Sequence, residues 1–429
     1  MQFWEEYIKL YQEDSVLMIE KRKIIITFSY YGIGGAQRRA INLANEFVNN
    51  GYEVTILAVF GNDGSIENES DHFNVDKKIE VVLIPDFYES NKNNFIVDKM
   101  VRNSDRKIKW LKRIQLLSKN IKCVNGFIND AIRGIRCSVD LKSYLMENQS
   151  ATIISFGFNI FEKVYWAAKG LNFKLIYAET NAADKFINDK NFNATYKLLK
   201  KVDAWVFQTK EQRAFLGYEN NSVAKVIHNP IKDDLPDVHS GGKQKTVVNF
   251  CRLSPPKNLL LLVKAFEKFL LQNPEYKLKI YADTANTKDS YLREELLSYI
   301  SEHNLQNKVF ILPPTADIHN VIKGCAMFVS SSDYEGISNS MIEAMAMGLP
   351  CVCTDCRGGG AKEMITDGEN GLLVPIGDME ALSDAMHRMV NEDGLAEKCG
   401  KNAAEVRETL SVEKIAEQWI HVIESASNK

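Results

Sequence analysis

Apolar runs alternate with helix-like patterns along most of the chain. The first series extends from "KIIITFS" (23–29) to "KVIHNP" (225–230), and the second from "TVVNFC" (246–251) to "GLLVPI" (371–376). Continuous apolar strands that alternate with helices are typical of parallel sheets covered by helices on both faces. The pattern therefore predicts an α/β protein with two Rossmann-like, doubly wound domains.

The polar segment 233–245 separates the two series and is the best candidate for a linker. It predicts an N-terminal domain over residues 1–236 and a C-terminal domain over residues 237–409. The last helical pattern, within residues 410–429, has no strand after it, so we expect it to complete the first domain. Ligands of doubly wound sheets bind beyond the carboxyl ends of the strands, which predicts a site in a central cleft that both domains face.

Composition narrows the class of protein further. Of the 429 residues, 45% are hydrophobic and 25% are charged, and the net charge is −3. No apolar stretch is long enough to predict a transmembrane helix, and the acidic residues 1–14 lack the basic region of a signal peptide. These features predict a cytoplasmic protein with free cysteine thiols. Cys351, Cys353 and Cys356 have no second Cys or His cluster to complete a metal site, so they indicate packing within a strand.

Four turns, each between a strand and a helix, carry residues suited to ligand binding. They are 32–38, 252–258, 335–343 and 355–361. Glycines let the backbone approach a ligand closely, and helix N-termini attract anions. Each turn alone is compatible with a purely structural role. Their common placement at strand ends favours one ligand site that all four line.

Glu335 and Glu343 belong to the segment "DYEGISNSMIEAMAMGLP" (333–350). In one continuous helix they would be about 80° and about 12 Å apart, too far to share a proton. The cap-type residues Ser338 to Ser340 instead predict a helix start between them. Two interpretations remain open. Both carboxylates could accept hydrogen bonds from ligand hydroxyls, or Ser340 and Glu343 could form a capping box.

Arg252 and Lys257 flank the turn after the first strand of the second domain. Two fixed cations can hold a diphosphate and stabilise it as a leaving group, although an isolated pair could equally be solvated surface charges. The sequence contains no Asp-x-Asp, which argues against a bridging Mg²⁺ or Mn²⁺. We therefore expect neither a metal nor another cofactor.

The loop "SYYGIGGAQRRA" (29–40) follows the first strand. A dinucleotide-binding fingerprint would need Gly or Ala where this chain has Gln37. A nicotinamide-dependent dehydrogenase is therefore a weak alternative.

The second domain resembles the family 4 retaining glycosyltransferases of the GT-B architecture. The resemblance lies in "FCRLSPPKN" (250–258), "FVSSSDYEGISNSMIEAMAMGLPCVCTD" (328–355) and "EMITDGENGLLVPIGD" (363–378), and its most specific feature is the Glu335-x7-Glu343 spacing. In the first domain, "YGIGGAQRRAINLA" (31–44) resembles the Gly-Gly loop of the family.

The resemblance implies roles for the matching residues. Arg252 and Lys257 would clamp the donor diphosphate in place of a metal, and Glu335 would accept hydrogen bonds from hydroxyls of the donor sugar. Glu343 would hold the ribose hydroxyls. The other donor-binding residues that it implies are Gly336, Ile337, Ser338 and Asn339 on one wall, with Gly34 and Gly35 on the opposite wall.

One departure from the family pattern lies in "YAETNAAD" (177–184). Thr180 stands where the family usually has a histidine that contacts the transferred sugar. Glu179, Thr180 and Asn181 are the candidates for contacts with the sugar or the acceptor. Gln37 likewise replaces a frequent glutamate in the Gly-Gly loop.

The function that the resemblance implies is retaining, metal-independent transfer of a hexosyl group. The donor would be a nucleotide diphosphate sugar, with UDP expected, and the acceptor a glycan or a lipid-linked saccharide in cell-surface polysaccharide or glycoconjugate synthesis. A non-catalytic relative that binds or stabilises a partner transferase is the alternative. The joint presence of Arg252, Lys257, Glu335 and Glu343 argues against that alternative.

The segment 91–136 has a net charge of +9, with aromatic residues such as Phe95 and Trp110 between the cations. A solvated helix face is the simplest interpretation. No nucleic-acid-binding module is present, so no nucleic-acid partner is expected. A basic amphipathic segment beside the acceptor site would also dock the enzyme on the anionic inner face of a membrane, which is the peripheral location that we predict.

Overall fold

The computed structural model describes residues 22–31, 35–60, 74–84, 109, 111, 138–180, 192–238, 243–283 and 290–427. The chain divides into two compact units, Met1–Ile176 and Tyr177–Lys429.

The first sheet has seven strands in the order β3-β2-β1-β4-β5-β6-β7. The strands are β1 (Lys23–Phe28), β2 (Glu53–Ala58), β3 (Glu80–Leu83), β4 (Thr152–Phe156), β5 (Lys174–Ala178), β6 (Ala204–Phe207) and β7 (Ala224–Val226). The helices between them that the structure describes are Gly35–Asn49, 138–147, Phe158–Ala168, Phe192–Leu199 and Lys210–Phe215. β1 pairs in parallel with β2 and β4, and all five residues of β4 are buried. A parallel strand buried on both faces is what its uninterrupted apolar run predicts.

The second sheet has six strands in the order β10-β9-β8-β11-β12-β13, and every neighbouring pair is parallel. The strands are β8 (Gln244–Arg252), β9 (Lys277–Asp283), β10 (Val309–Leu312), β11 (Cys325–Ser330), β12 (Cys351–Thr354) and β13 (Leu372–Val374). The helices are Leu259–Leu270, Ser290–Glu302, Ile318–Ile322, Asn339–Ala346, Gly360–Met364, Met379–Asn391, Leu395–Ala403, Val406–Thr409 and Val412–Ser427.

From β8 the chain adds β9 and β10 on one side, and it then returns to the other side of β8 to form β11, β12 and β13. The switch point of the strand order therefore lies between β8 and β11. Such a switch point is where doubly wound sheets bind ligands, beyond the carboxyl ends of the strands. Arg252 ends β8, and the loop 333–338 follows β11. The topology therefore brings these two predicted parts of the site to the same position on the sheet edge.

The core of the second sheet explains why the helices lie where they do. Helix Leu259–Leu270 buries Leu262, Val263, Phe266 and Phe269, which recur at helical spacing along one face. These side chains join one apolar cluster with those of the strands and of helix Met379–Asn391. The turn before Leu259 is thereby fixed to a rigid element.

The strand predicted at the position of β7 extends further than the strand in the structure. The apolar pattern predicted a strand over 225–230, whereas β7 is Ala224–Val226. Ile227 still donates its N–H to Phe207 O (2.9 Å), but Pro230 has no N–H, and the intervening Asn229 side chain hydrogen-bonds Ile337 O instead.

Cys351 and Cys353 are buried within β12, and Cys356 is buried just after it. Burial raises the pKa of all three thiols, that of Cys356 to about 12. No group of His, Cys, Asp and Glu among the described residues could hold a metal ion.

Several sequence predictions lie outside the described residues. They concern the acidic residues 1–14, Gly34, Asn181 and, apart from residues 109 and 111, the basic segment 91–136. The contact of that segment with a membrane stays a prediction. The domain boundary at 236 and the assignment of residues 410–429 to the first domain also stay predictions. Among the described helices, none combines the length and the apolar character needed to cross a membrane.

Candidate functional site

The turn after β8 is held in a fixed conformation. Residues Pro255–Lys257 form one turn of 3₁₀ helix, and Asn258 follows in the left-handed region with φ of 42°. The Ser331 hydroxyl lies within hydrogen-bonding distance of two carbonyls of the turn, Lys257 O (3.0 Å) and Asn258 O (2.9 Å). Ser331 follows β11, so the two strand ends on either side of the switch point are tied together.

The loop after β11 is held by the turn on one side and by residue 357 on the other. Asp333 donates its N–H to Pro256 O (2.9 Å) and accepts a hydrogen bond from Asn258 Nδ2 (2.9 Å). Glu335 donates its N–H to Arg357 O (2.9 Å). Because both ends of this three-residue stretch are hydrogen-bonded to other elements, Glu335 is presented from a rigid backbone.

Lys257 and Glu335 form an ion pair, with Lys257 Nζ 2.5 Å from Glu335 Oε2. Their side chains are 13% and 27% exposed, so the pair is largely shielded from solvent but remains accessible to a ligand. Burial lowers the pKa of Lys257, but the Glu335 carboxylate, by charge and hydrogen bond, and Cys251 together raise it by more. The pKa of Lys257 therefore lies above its ordinary value, and the amine stays charged. The charge of Arg252, exposed at the end of β8, acts on Lys257 in the opposite direction.

Glu343 has a different partner and is more deeply buried. The carboxylate is 6% exposed, and its Oε2 lies 2.9 Å from Nε2 of His319. The His319 ring in turn contacts Phe250 of β8 edge-to-face, with 6.2 Å between centroids. A buried carboxylate with a fixed orientation can accept hydrogen bonds from ligand hydroxyls at little entropic cost.

The capping-box interpretation of Glu343 is wrong. Helix Asn339–Ala346 begins earlier than that motif requires, with Ser338 at the N-cap and no side-chain capping bond from it. Ser340 therefore lies inside the first turn, and Glu343 lies in the second. A capping box needs its glutamate three residues after the N-cap, where this chain has Met341.

The backbone before this helix is engaged by residues that follow β6 and β7. Ile337 donates its N–H to Gln208 Oε1 (2.8 Å). Asn229 donates from Nδ2 to Ile337 O (3.0 Å) and to Asn339 Oδ1 (3.1 Å). Gly336 lies against Gln208 as well, because a Cβ at position 336 would overlap Gln208 Oε1.

The three-glycine turn 358–360 is held by the start of helix Lys210–Phe215. Gly358 donates its N–H to Glu211 Oε1 (2.7 Å) and accepts at its carbonyl from the Thr209 hydroxyl (2.6 Å). A Cβ at Gly360 would overlap the Gly336 carbonyl. The glycines of the two turns therefore allow the two backbones to touch.

Glu179 is buried at the carboxyl end of β5, with 1% of its surface exposed. Tyr177 donates its hydroxyl to Glu179 Oε2 (2.5 Å), and Thr180 donates its N–H to Oε1 (2.8 Å). Burial and the neighbouring Glu179 carboxylate raise the pKa of Tyr177 well above its usual value. The hydroxyl therefore stays protonated and able to donate.

The structure thus brings Arg252, Lys257 and Glu335 together, and it places Glu343 with His319. Gly35 begins helix Gly35–Asn49 in the first unit. Sequence reasoning missed the partners His319, Gln208, Asn229 and Glu211. Gln208 directly follows a strand, which is a general signal for a site residue, whereas no local pattern distinguishes His319.

Parts of this chain are similar to known glycosyltransferases. Residues 231–406 match the family model described as glycosyl transferases group 1. A poly(ribitol-phosphate) α-N-acetylglucosaminyltransferase of Staphylococcus aureus is 24% identical over 382 residues, which cover 81% of this chain and 75% of that protein. A poly(glycerol-phosphate) α-glucosyltransferase of Bacillus subtilis is 26% identical over 251 residues, 57% of this chain and 36% of that protein.

Two solved structures share the fold over 94% of this chain. A S. aureus TarM variant, crystallised with fondaparinux, α-GlcNAc-glycerol and UDP, has a TM-score of 0.72 at 18% identity and covers 94% of this chain and 99% of its own. HepE of Anabaena, in complex with UDP and glucose, has a TM-score of 0.72 at 17% identity, covering 94% and 100%.

The two Rossmann-like parallel sheets and the match to these structures define a protein of the GT-B fold. Over residues 231–406 the chain is similar to the glycosyl transferases group 1, and it is similar to transferases named for poly(ribitol-phosphate) and poly(glycerol-phosphate).

Proposed function

We propose that the protein transfers a sugar from a UDP-sugar, with retention of the anomeric configuration and without a metal ion, to a glycan or lipid-linked saccharide. The observation that carries the proposal is the Lys257–Glu335 pair at the switch point of the second sheet. It offers a charged donor for a phosphate and a carboxylate acceptor for sugar hydroxyls side by side.

The two cations supply the charge that a departing diphosphate needs. Lys257 is fixed by its turn and keeps its proton, while Arg252 lies at the adjacent strand end and offers a planar fork. Fixed charges that face a developing anion stabilise the transition state without reorganisation. This arrangement performs the role that a divalent cation would otherwise have.

The reaction that fits these groups breaks the bond between the anomeric carbon and the diphosphate oxygen. The acceptor oxygen forms its bond on the same face, and its proton passes to the departing phosphate. Glu335 accepts hydrogen bonds from the sugar hydroxyls while positive charge develops on the ring. Retention then follows without a covalent enzyme intermediate, which would need a carboxylate at the anomeric carbon.

A panel of nucleotide sugars incubated with the protein and excess EDTA tests the proposal. We expect slow hydrolysis of at least one UDP-sugar at a rate that EDTA leaves unchanged, because Lys257 and Arg252 already face the diphosphate. Loss of activity in EDTA with recovery on added Mn²⁺ would contradict metal independence. UDP binding without turnover of any donor or acceptor pair would indicate a non-catalytic subunit instead.

Replacement of Glu343 should affect binding of the ribose specifically. We expect Glu343→Gln to raise the donor KM about tenfold with little change in kcat, since the lost charge-assisted contact is made equally in the ground state and transition state. Calorimetry with UDP and 2′-deoxy-UDP provides the measurement. The wild type should prefer UDP, and the variant should bind both nucleotides alike.

Because Glu343 also pairs with the buried His319, the experiment needs a control for the loss of that contact. His319→Gln keeps a donor for the Glu343 carboxylate, so we expect it to retain the preference for UDP. Equal loss of affinity for both nucleotides in Glu343→Gln, together with a lower melting temperature, would show that the carboxylate serves only the fold.

A further inference from the structure

Gln208 lies where two candidate parts of the site approach each other. It directly follows β6 and is 4% exposed. Its backbone N–H donates to Gln212 Oε1 (2.9 Å), and Gln212 is itself buried in the first turn of the next helix. The backbone of Gln208 is therefore fixed, and the direction of its side chain is set by the groups that its amide contacts.

The side-chain amide of Gln208 spans two segments. Its Oε1 accepts from the N–H of Ile337 (2.8 Å), in the loop proposed to bind the donor. Its Nε2 lies 3.4 Å from the backbone carbonyl of Glu179. One amide thus joins the donor loop to the segment proposed to contact the transferred sugar or the acceptor.

The contact with Gln208 explains why position 336 is a glycine. A Cβ at position 336 would overlap Gln208 Oε1 and would lie 3.0 Å from Gln212 Nε2. The backbone of Gly336 is not in the left-handed region, so alanine is compatible with its φ angle. The space that the glycine leaves is occupied by the end of the Gln208 side chain, and on the other side its carbonyl abuts Gly360.

The Glu179 end of the link is also rigid. The Glu179 carboxylate is held by the Tyr177 hydroxyl and the Thr180 N–H, and its own N–H donates to Val206 O (2.9 Å) in β6. Because Glu179 is fixed by these hydrogen bonds, it would not follow a shift of Gln208. Such a shift would therefore change the position of the donor loop relative to Glu179.

We propose that Gln208 is a positioning residue, which sets the donor loop Gly336–Ile337 in register with Glu179 and Thr180 through its side-chain amide. It acts on transfer without contacting the substrate. The proposal rests on the function proposed above, because it assumes that the loop binds the donor.

The test uses kcat and KM of UDP-sugar turnover in the full chain. Gln208→Ala and Gly336→Ala should each lower kcat about 10- to 100-fold, because a displaced loop misaligns donor and acceptor. Affinity for UDP should stay within about twofold, since neither change removes a donor-binding charge. Gly336→Ala acts by displacing the end of the Gln208 side chain, so the double variant should lose no more than the worse single variant.

Three results would overturn the proposal: unchanged kcat in Gln208→Ala, losses that multiply in the double variant, or a raised KM at constant kcat in Gly336→Ala. The last result would mean that Gly336 contacts the donor directly.

Gln208→Met keeps the side-chain length without the amide and replaces the alanine variant if that one does not fold. The exposed Gln244→Ala is the matched control. A wild type that neither binds UDP nor turns over any nucleotide sugar would instead refute the proposed function, and the two failures are therefore distinguishable.

Discussion

Glu335→Gln should lower kcat for UDP-sugar turnover about 10- to 100-fold, the larger of the effects expected from the two proposed carboxylates. The carboxylate is presented on a loop hydrogen-bonded at both ends, at 2.5 Å from Lys257. Its hydrogen bonds to sugar hydroxyls strengthen as the ring gains positive charge, so the loss falls on the transition state. Steady-state kinetics with the donor found in the panel supplies the measurement.

The same variant should bind UDP at least as tightly as the wild type. Removal of the Glu335 charge leaves Lys257 without its anionic partner, which increases the positive potential where the diphosphate binds. The combination of a lower kcat with undiminished affinity for UDP separates a role in turnover from a general loss of the site. Glu392→Gln, which breaks an exposed pair with Arg388, is the control and should change neither quantity. A variant of Glu335 with normal kcat would contradict the assignment.

Much of the architecture was predictable because each strand is a continuous apolar run. The order β10-β9-β8-β11-β12-β13 is one that doubly wound parallel sheets adopt, and it places the ends of β8 and β11 side by side. Sequence reasoning erred where the chain leaves the sheet to make a specific contact. The predicted run 225–230 stops at Val226 because Asn229 turns to the loop before helix Asn339–Ala346.

The pairings within the site could not be predicted in the same way. Lys257 and Glu335 are 78 residues apart, and Gln208 and Ile337 are 129 apart, so no local pattern records either contact. The motif around Glu343 shows the opposite difficulty. Its Ser-x-x-Glu spacing satisfies a local rule, yet the helix starts at Asn339, and the carboxylate pairs with the distant His319 instead. Local sequence patterns determine where helices and strands form, whereas the partners of buried charged side chains depend on how the whole core assembles.

Lys257→Met should weaken UDP binding about 10- to 100-fold while binding of uridine stays unchanged. The methionine approximately keeps the shape of the lysine stem, so the difference reports the charge. Lys257 carries three donor hydrogens, and one can remain on Glu335 while the others reach a phosphate oxygen. The Ser331 contact to its backbone holds the turn in place, so the variant should keep the loop geometry.

Calorimetric titration with UDP and with uridine separates this effect from damage to the fold. Lys245→Met, at the other end of β8, removes an amine paired with Glu275 on the surface and should leave both affinities unchanged. Arg252→Leu should show the same selectivity for UDP as Lys257→Met but a smaller loss, because Arg252 is exposed and its interactions are screened by water and salt. If Lys257→Met lost uridine and UDP affinity equally, the amine would support the loop rather than the diphosphate, and the metal-free clamp would have to be abandoned.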